Sequence, residues 1–462
     1  MGSDKAKPEP AGTAWAGWTA RIRTWLTDSD HRSLAQRMAG TAFLIRVASA
    51  AILYLSQILL ARWMGSFDFG IYVYVWTWVM LIGSVVDLGL SSATQRFIPE
   101  YAERKEPALL RGFLFGSRWL TVTMATVAAV LGLGGIWLLR PYVDRYEFIP
   151  LILACICLPL YALTEVQDGI ARSYNWVNLA LVPPMVVRPL LLLALIVGAH
   201  YAGFDNDATV AMVCAVIATW ATAVLQLVVM ERRLRTRVEP GPRAYDIRHW
   251  FSVAVPIFMV TGFYMLLTYT DILVLQHFQP PDDVAHYYAA TKILNFVAFI
   301  YFAVSAAVTH RFTEYHVAGD RERLAAFLGD AVRWTFWPSL AATIVILALG
   351  KPFLWLFGPA FVEGYPWMFI LAIGLLARSA VGPVERLLSM LGQQRACALA
   401  YAGAFVINLI GCLLLIPPLG PVGAAVATAT ALSFETLLLF WVAKTRLGFH
   451  VFVWGATTRR PA

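Results

Sequence analysis

Ionisable side chains stand inside stretches of this sequence that are otherwise apolar. The cations are Arg46, Arg62, Arg118, Arg188, Lys292 and Arg378, and the acids include Asp87, Glu165, Asp168, Asp271 and Glu435. A charge in apolar surroundings is costly, so each of these either pairs with another group or is kept for use. Cations along a wet cleft can replace the hydration of a phosphate. Buried carboxylates can carry a proton or hold a sodium ion. This is the chemistry of binding and moving a solute rather than of breaking a bond. The sequence has no Gly-rich phosphate loop ending in Lys-Ser/Thr, and its eight histidines are scattered without metal-ligand spacing. No nucleophile–base pair is signalled.

Three groups of residues stand out as candidates. Arg188 sits near the middle of an apolar stretch, flanked by Pro183-Pro184 and Pro189. Those prolines loosen a helix, and no acid in the first half of the chain clearly matches its depth. Arg188 is therefore expected to face an aqueous cleft, with a hidden structural partner as the alternative; Arg378 is a similar case. Arg46 and Asp87 match in depth, as do Asp271 and Lys292, and each pair is either a structural ion pair or part of a site. Two polar stripes complete the set. Thr261, Tyr264, Thr268 and Asp271 share one helical face, and Tyr288, Thr291, Lys292 and Asn295 share another. Arg46 and Gln57 share a third. Such faces avoid lipid, by lining a cleft or by packing on another helix. Asp271, Asp87 and Glu435 are the candidates for ion coupling. Arg62 and Arg118, near stretch ends, are expected to snorkel.

The elements that position these residues are twelve apolar stretches, at 38–63, 70–90, 114–139, 148–169, 177–202, 208–230, 250–275, 287–309, 334–350, 365–381, 396–416 and 422–443. Each is near the length a helix needs to cross about 30 Å of hydrocarbon. Apolar residues make up 59% of the chain and charged residues 14%, against roughly 45–50% and 25% in soluble domains. Of the 36 Lys and Arg residues, only Arg140, Arg145 and Lys351 fall in odd-numbered gaps. The even gaps and both termini are therefore expected in the cytoplasm. The net charge of +8 belongs to this topology and to anionic headgroups, so no nucleic-acid partner is expected. All five cysteines lie within the stretches, without disulfide or zinc spacing.

The chain also repeats itself. Gln57-Ile58-Leu59-Leu60-Ala61, then Phe69-Gly70-Ile71-Tyr72, is echoed by Asp271-Ile272-Leu273-Val274-Leu275, then Val284-Ala285-His286-Tyr287-Tyr288. The reading is a cytoplasmic tail at 1–37 with an interfacial amphipathic helix through Trp15, Trp18, Ile22, Trp25 and Leu26. A six-helix lobe at 38–230, a basic cytoplasmic linker at 231–249, a second lobe at 250–443 and a cytoplasmic tail at 444–462 follow. A second interfacial helix is expected over 320–334, through Leu324, Phe327 and Leu328. Six spans return the chain to its starting side, so the lobes are parallel repeats. Transporters built this way place their substrate path between the repeats.

The stretch Leu59–Ile98 resembles the opening of the Wzx-type polysaccharide flippases, of the multidrug/oligosaccharidyl-lipid/polysaccharide exporter superfamily. The resemblance rests on Phe69, Gly70 and Tyr72 and on the Asp-Leu-Gly-Leu-Ser run at Asp87–Ser91. Thr268–Lys292 resembles the opening of the family's second half, with Ala285 where Gly is common. Leu413–Ala431 is similar to the family's eleventh and twelfth spans. The likeness implies an all-α, twelve-span, two-lobed transporter of a bacterial inner membrane. It would flip a polyprenyl-pyrophosphate-linked oligosaccharide by alternating access, for O-antigen, capsule or exopolysaccharide synthesis. It also implies that spans one, two, seven and eight surround the cleft. The implied partners are the lipid-linked substrate, membrane lipids, and a polysaccharide polymerase with its chain-length regulator. No cofactor is expected beyond a proton or sodium gradient. A multidrug or organic-cation antiporter of the same superfamily, and a membrane-embedded enzyme of the polysaccharide pathway, stand as alternatives.

Overall fold

The computed structural model describes residues 31–455, without the side chains of residues 31–44, 46 and 310. The amphipathic helix expected at 15–26 and the Arg46 side chain lie outside the described residues.

Eleven helical segments among the described residues are long and apolar enough to cross a bilayer. The first, Val47–Glu103, has 57 residues, about 85 Å of helix at 1.5 Å per residue. It makes two passes, bending at Gly65 and breaking again after Val85, and so holds the first and second spans. The third to sixth spans are Pro107–Leu138, Arg145–Ser173, Val177–Tyr201 and Ala208–Arg235. The seventh to ninth are Ile247–Phe278, Pro281–Val317 and Arg321–Ala348. The tenth to twelfth are Pro359–Met390, Gln394–Leu419 and Pro421–Leu447. The first six pack mainly on one another and the last six likewise, while the first, second, seventh and eighth make the main contacts between the halves. The five cysteines are free and buried.

The second interfacial helix is not formed. Residues 321–348 are one continuous helix, and Leu324 and Leu328 are buried against Val308 and Phe312 of the eighth span. The apolar face that suggested a membrane surface is covered by protein.

At the arginine-rich end, the Asp87–Ser91 run is a built junction. The Asp87 carboxylate accepts hydrogen bonds from Gly89 N at 3.0 Å and Ser91 N at 2.8 Å, so it satisfies the free amides that open helix Leu90–Glu103. Gly89 is left-handed at φ 87, and a Cβ there would sit 2.6 Å from the Ala254 carbonyl of the seventh span. The basic linker is tied down as well. Arg111 donates to the carbonyls of Pro242 and Glu239 at 2.9 and 3.0 Å. Trp250, fully buried, donates to the Tyr101 hydroxyl at 3.0 Å.

At the arginine-poor end the halves clasp directly. Gly70 packs so closely on Pro281 that a Cβ would overlap its carbonyl. The Ser66 hydroxyl donates to the Asp282 carboxylate, and Gln276 donates to Glu147 at 2.6 Å. Arg62 binds the carbonyls of Leu356 and Trp355 at 2.6 and 3.0 Å and lies over the Trp355 ring. Arg118, expected to snorkel, is instead mostly buried and ion-paired with Glu231 at 3.3 Å; the sixth span runs on to Arg235 and brings that acid alongside.

Candidate functional site

The eighth span is broken at the site. Its helix Pro281–Leu294 gives way to a 3₁₀ turn at Asn295–Val297 before resuming at Ala298. Backbone irregularity at membrane depth is tolerated where it is buried in protein or lines a watery cavity, and this turn borders three, two of which meet at Lys292. One, of about 190 Å³, lies between the first and eighth spans and is walled by Tyr54, Gln57, Tyr288, Lys292, Asn295 and Phe357. The other, of about 140 Å³, is walled by Tyr264, Thr268, Asp271, Lys292, Asn295 and Arg378, among others. Lys292 and Asn295 stand in the partition between them.

The Lys292 ammonium lies 4.7 Å over the Tyr288 ring, a cation–π contact. Among the described residues no carboxylate is within ion-pair distance of it. Asp271 borders the same cavity, but its carboxylate accepts from Tyr287 at 2.8 Å and Thr428 at 3.1 Å. The two charges are thus neighbours without being a salt bridge. The buried Gln57 carbonyl oxygen has no hydrogen-bond partner among the described residues.

Arg188 lies in the other half. The prolines do loosen its helix: Pro183–Val187 is a π-helical turn between Val177–Val182 and Arg188–Tyr201. Its guanidinium lies 5.2 Å from the Tyr161 ring and 5.7 Å from Trp76. The expectation that no acid shares its depth is overturned, since Glu165 of the fourth span is in electrostatic range. That span extends to Ser173 rather than ending at 169, so Glu165 lies about a turn deeper than counted.

Arg378 has a partner too. Its Nε is 3.5 Å from the Glu435 carboxylate, and Glu435 is fully buried behind it. The guanidinium also lies 5.4 Å from both Tyr264 and Tyr301. The structure therefore gathers Gln57, Tyr264, Thr268, Asp271, Tyr288, Lys292, Asn295 and Arg378 around adjoining cavities. It keeps Arg188 in the opposite half and seals Glu435 behind Arg378. Asp87 is committed to backbone amides at the arginine-rich end. Sequence reasoning missed Trp76, Tyr161 and Tyr301. The sequence carries no signal for them, because each lies on a different span from the cation it faces. Tyr269, whose hydroxyl lies 3.8 Å from the Met80 sulfur, links the seventh span to the second.

The comparisons with known proteins agree with this architecture. The model of the polysaccharide biosynthesis protein family matches residues 38–316. The chain belongs to that family. The MatE model matches residues 256–414, within the second half. No curated protein matches the sequence. Among solved structures, the lipid II flippase MurJ in an inward closed conformation superposes with a TM-score of 0.70 at 15% identity, covering 88% of this chain and 87% of that one. An inward-facing multidrug resistance MATE family transporter of the MOP superfamily gives 0.65 at 13%, covering 88% and 94%. A MOP superfamily transporter from Pyrococcus furiosus, described as having a binding pocket of reverse polarity, gives 0.65 at 15%, covering 92% and 97%. This member of the polysaccharide biosynthesis family thus has the fold of transporters and flippases of the multidrug/oligosaccharidyl-lipid/polysaccharide exporter superfamily, and not that of an enzyme.

Proposed function

We propose that the protein flips a polyprenyl-pyrophosphate-linked oligosaccharide across a bacterial inner membrane by alternating access. Lys292 carries this reading. It is a cation at membrane depth, where the halves meet, with an aromatic ring beneath it and, among the described residues, no carboxylate in ion-pair reach, since its neighbour Asp271 is held by Tyr287 and Thr428. A fixed cation without a dedicated ion-pair partner attracts an anion, and the phosphates of a lipid-linked sugar are anions whose hydration must be replaced during crossing. The lobes 38–230 and 250–443 rock about this site, with both termini cytoplasmic. The lipid tail stays in the bilayer beside membrane lipids. A proton or sodium gradient drives the cycle through Asp271, and a polymerase with its chain-length regulator takes the product on the far side.

The test is reconstitution in vesicles with a fluorescent polyprenyl-pyrophosphate disaccharide, using an impermeant quencher to read leaflet exchange. Wild type moves the lipid and Lys292→Gln, at equal abundance, moves it about 100-fold more slowly. An organic-cation antiporter would instead move ethidium, and Lys292→Gln would leave that movement intact or raise it. Ethidium transport without lipid transport would overturn the proposal.

A further inference from the structure

The second half contains another cavity, of about 300 Å³, which adjoins the Lys292 site along Tyr264 and Arg378. That is near the lower end of the roughly 300–1,000 Å³ usual for ligand pockets. Two broken helices face each other across it. The eighth span supplies the 3₁₀ turn Asn295–Val297, and the tenth is interrupted between Ser379 and Val384. Three tyrosines form its walls: Tyr264, Tyr301 and Tyr401. Tyr264 and Tyr401 meet edge to face at 5.5 Å, and the Tyr301 hydroxyl points to the Glu385 carboxylate at 3.4 Å.

The charges of this chamber are balanced. Arg378 and Arg386 stand against Glu385 and Glu435. Lys292 differs: among the described residues no carboxylate is in ion-pair reach of it, and Asp271 across the same cavity is held by Tyr287 and Thr428. A balanced set of forks and carboxylates offers donors and acceptors without net attraction for an anion. Aromatic faces offer flat apolar surface to the C–H face of a ring. Together these suit a neutral, polyhydroxylated ring system.

We infer that the ligand site is divided: Lys292 takes the phosphate, and the chamber between Tyr264, Tyr301 and Arg378 takes the saccharide attached to it. This rests on the proposed flipping of a lipid-linked sugar. The chamber sets which saccharides are accepted, while the Lys292 partition holds what all such lipids share.

The test uses lipid-linked saccharide extracted from the source cell, presented to the purified protein in nanodiscs. A second portion is treated with periodate, which opens sugar rings and leaves the pyrophosphate. Wild type should bind the intact lipid at least 10-fold more tightly than the oxidised one. The double change Tyr264→Leu with Tyr301→Leu should abolish that preference. Tyr264→Phe with Tyr301→Phe, which keeps the rings, should retain most of the preference and controls for folding. Lys292→Gln should weaken both lipids by a similar factor and keep their ratio. If the leucine variant keeps the wild-type ratio while eluting as a folded monodisperse protein, the divided site is wrong and the flippase reading survives. If wild type binds neither lipid, both fall.

Discussion

Two cations of the same half, Lys292 on the eighth span and Arg378 on the tenth, border one cavity and meet opposite fates. Arg378 lies against the fully buried Glu435 at 3.5 Å and between two tyrosines. Lys292 lies over one tyrosine, with no carboxylate in ion-pair reach among the described residues, because Tyr287 and Thr428 donate to one oxygen of Asp271 and the Ile272 amide to the other. Burial and residue type barely separate the two. What separates them is whether the neighbouring acid is already engaged. A charge whose partner is occupied remains available to a ligand; a charge with a dedicated partner holds helices together. Arg188 falls between, with two rings and Glu165 in range.

The sharpest way to break this comparison is to make Arg378 resemble Lys292. Glu435→Gln leaves a buried guanidinium without its counterion, which should cost about 3–5 kcal/mol of stability. Thermal unfolding in nanodiscs should show it as a large fall in Tm. Adding Arg378→Gln should recover most of the loss, because no lone charge remains. Double and single changes equally unstable would mean that Glu435 serves something other than Arg378.

The converse holds at Lys292, where function should suffer more than fold. Lys292→Gln should leave Tm nearly unchanged and slow lipid transport about 100-fold, as expected for losing one charge-assisted contact of roughly 1.5–3 kcal/mol. Arg188→Ala should do less, since its charge is shared with Glu165, and Arg188→Lys should retain part of the activity because a point charge survives without the planar fork. A larger transport loss at Arg188 than at Lys292 would move the phosphate site into the first half.

Much of this was legible in the chain. The span pattern follows from twelve apolar runs, because backbone in hydrocarbon must form helices. The polar stripes of the seventh and eighth spans were legible for the same geometric reason, since residues three and four apart share a face, and they do line the cavities. Partnership was not legible. Glu165 does not stand out as a partner for Arg188, because the polar residues up to Ser173 hide how far the helix runs on. Asp87 looked like a buried acid in search of a cation. Its two oxygens accept from Gly89 N and Ser91 N, and the sequence shows that only to a reader who takes Asp-Leu-Gly-Leu-Ser as a helix start. Residues 320–334 show the reverse error, since an apolar stripe does not say whether lipid or protein covers it.

The two ends of the molecule offer the finest test. Gly89 and Gly70 each hold the halves together at one end, but for different reasons. Gly89 is left-handed and lies against Ala254, so Gly89→Ala carries backbone strain and a clash in every state in which that junction persists. About 1–2 kcal/mol of lost stability is expected. Gly70 is in ordinary helix, and its added Cβ meets only Pro281 across the clasp. If the halves part at that end during the cycle, Gly70→Ala penalises the clasped state alone. Tm should then fall less than for Gly89→Ala, while a cysteine placed at Ser66 should react with an impermeant thiol reagent several-fold faster. A Gly70→Ala protein that melts as early as Gly89→Ala, with Ser66→Cys no more reactive, would show the clasp to be a permanent seam rather than a gate.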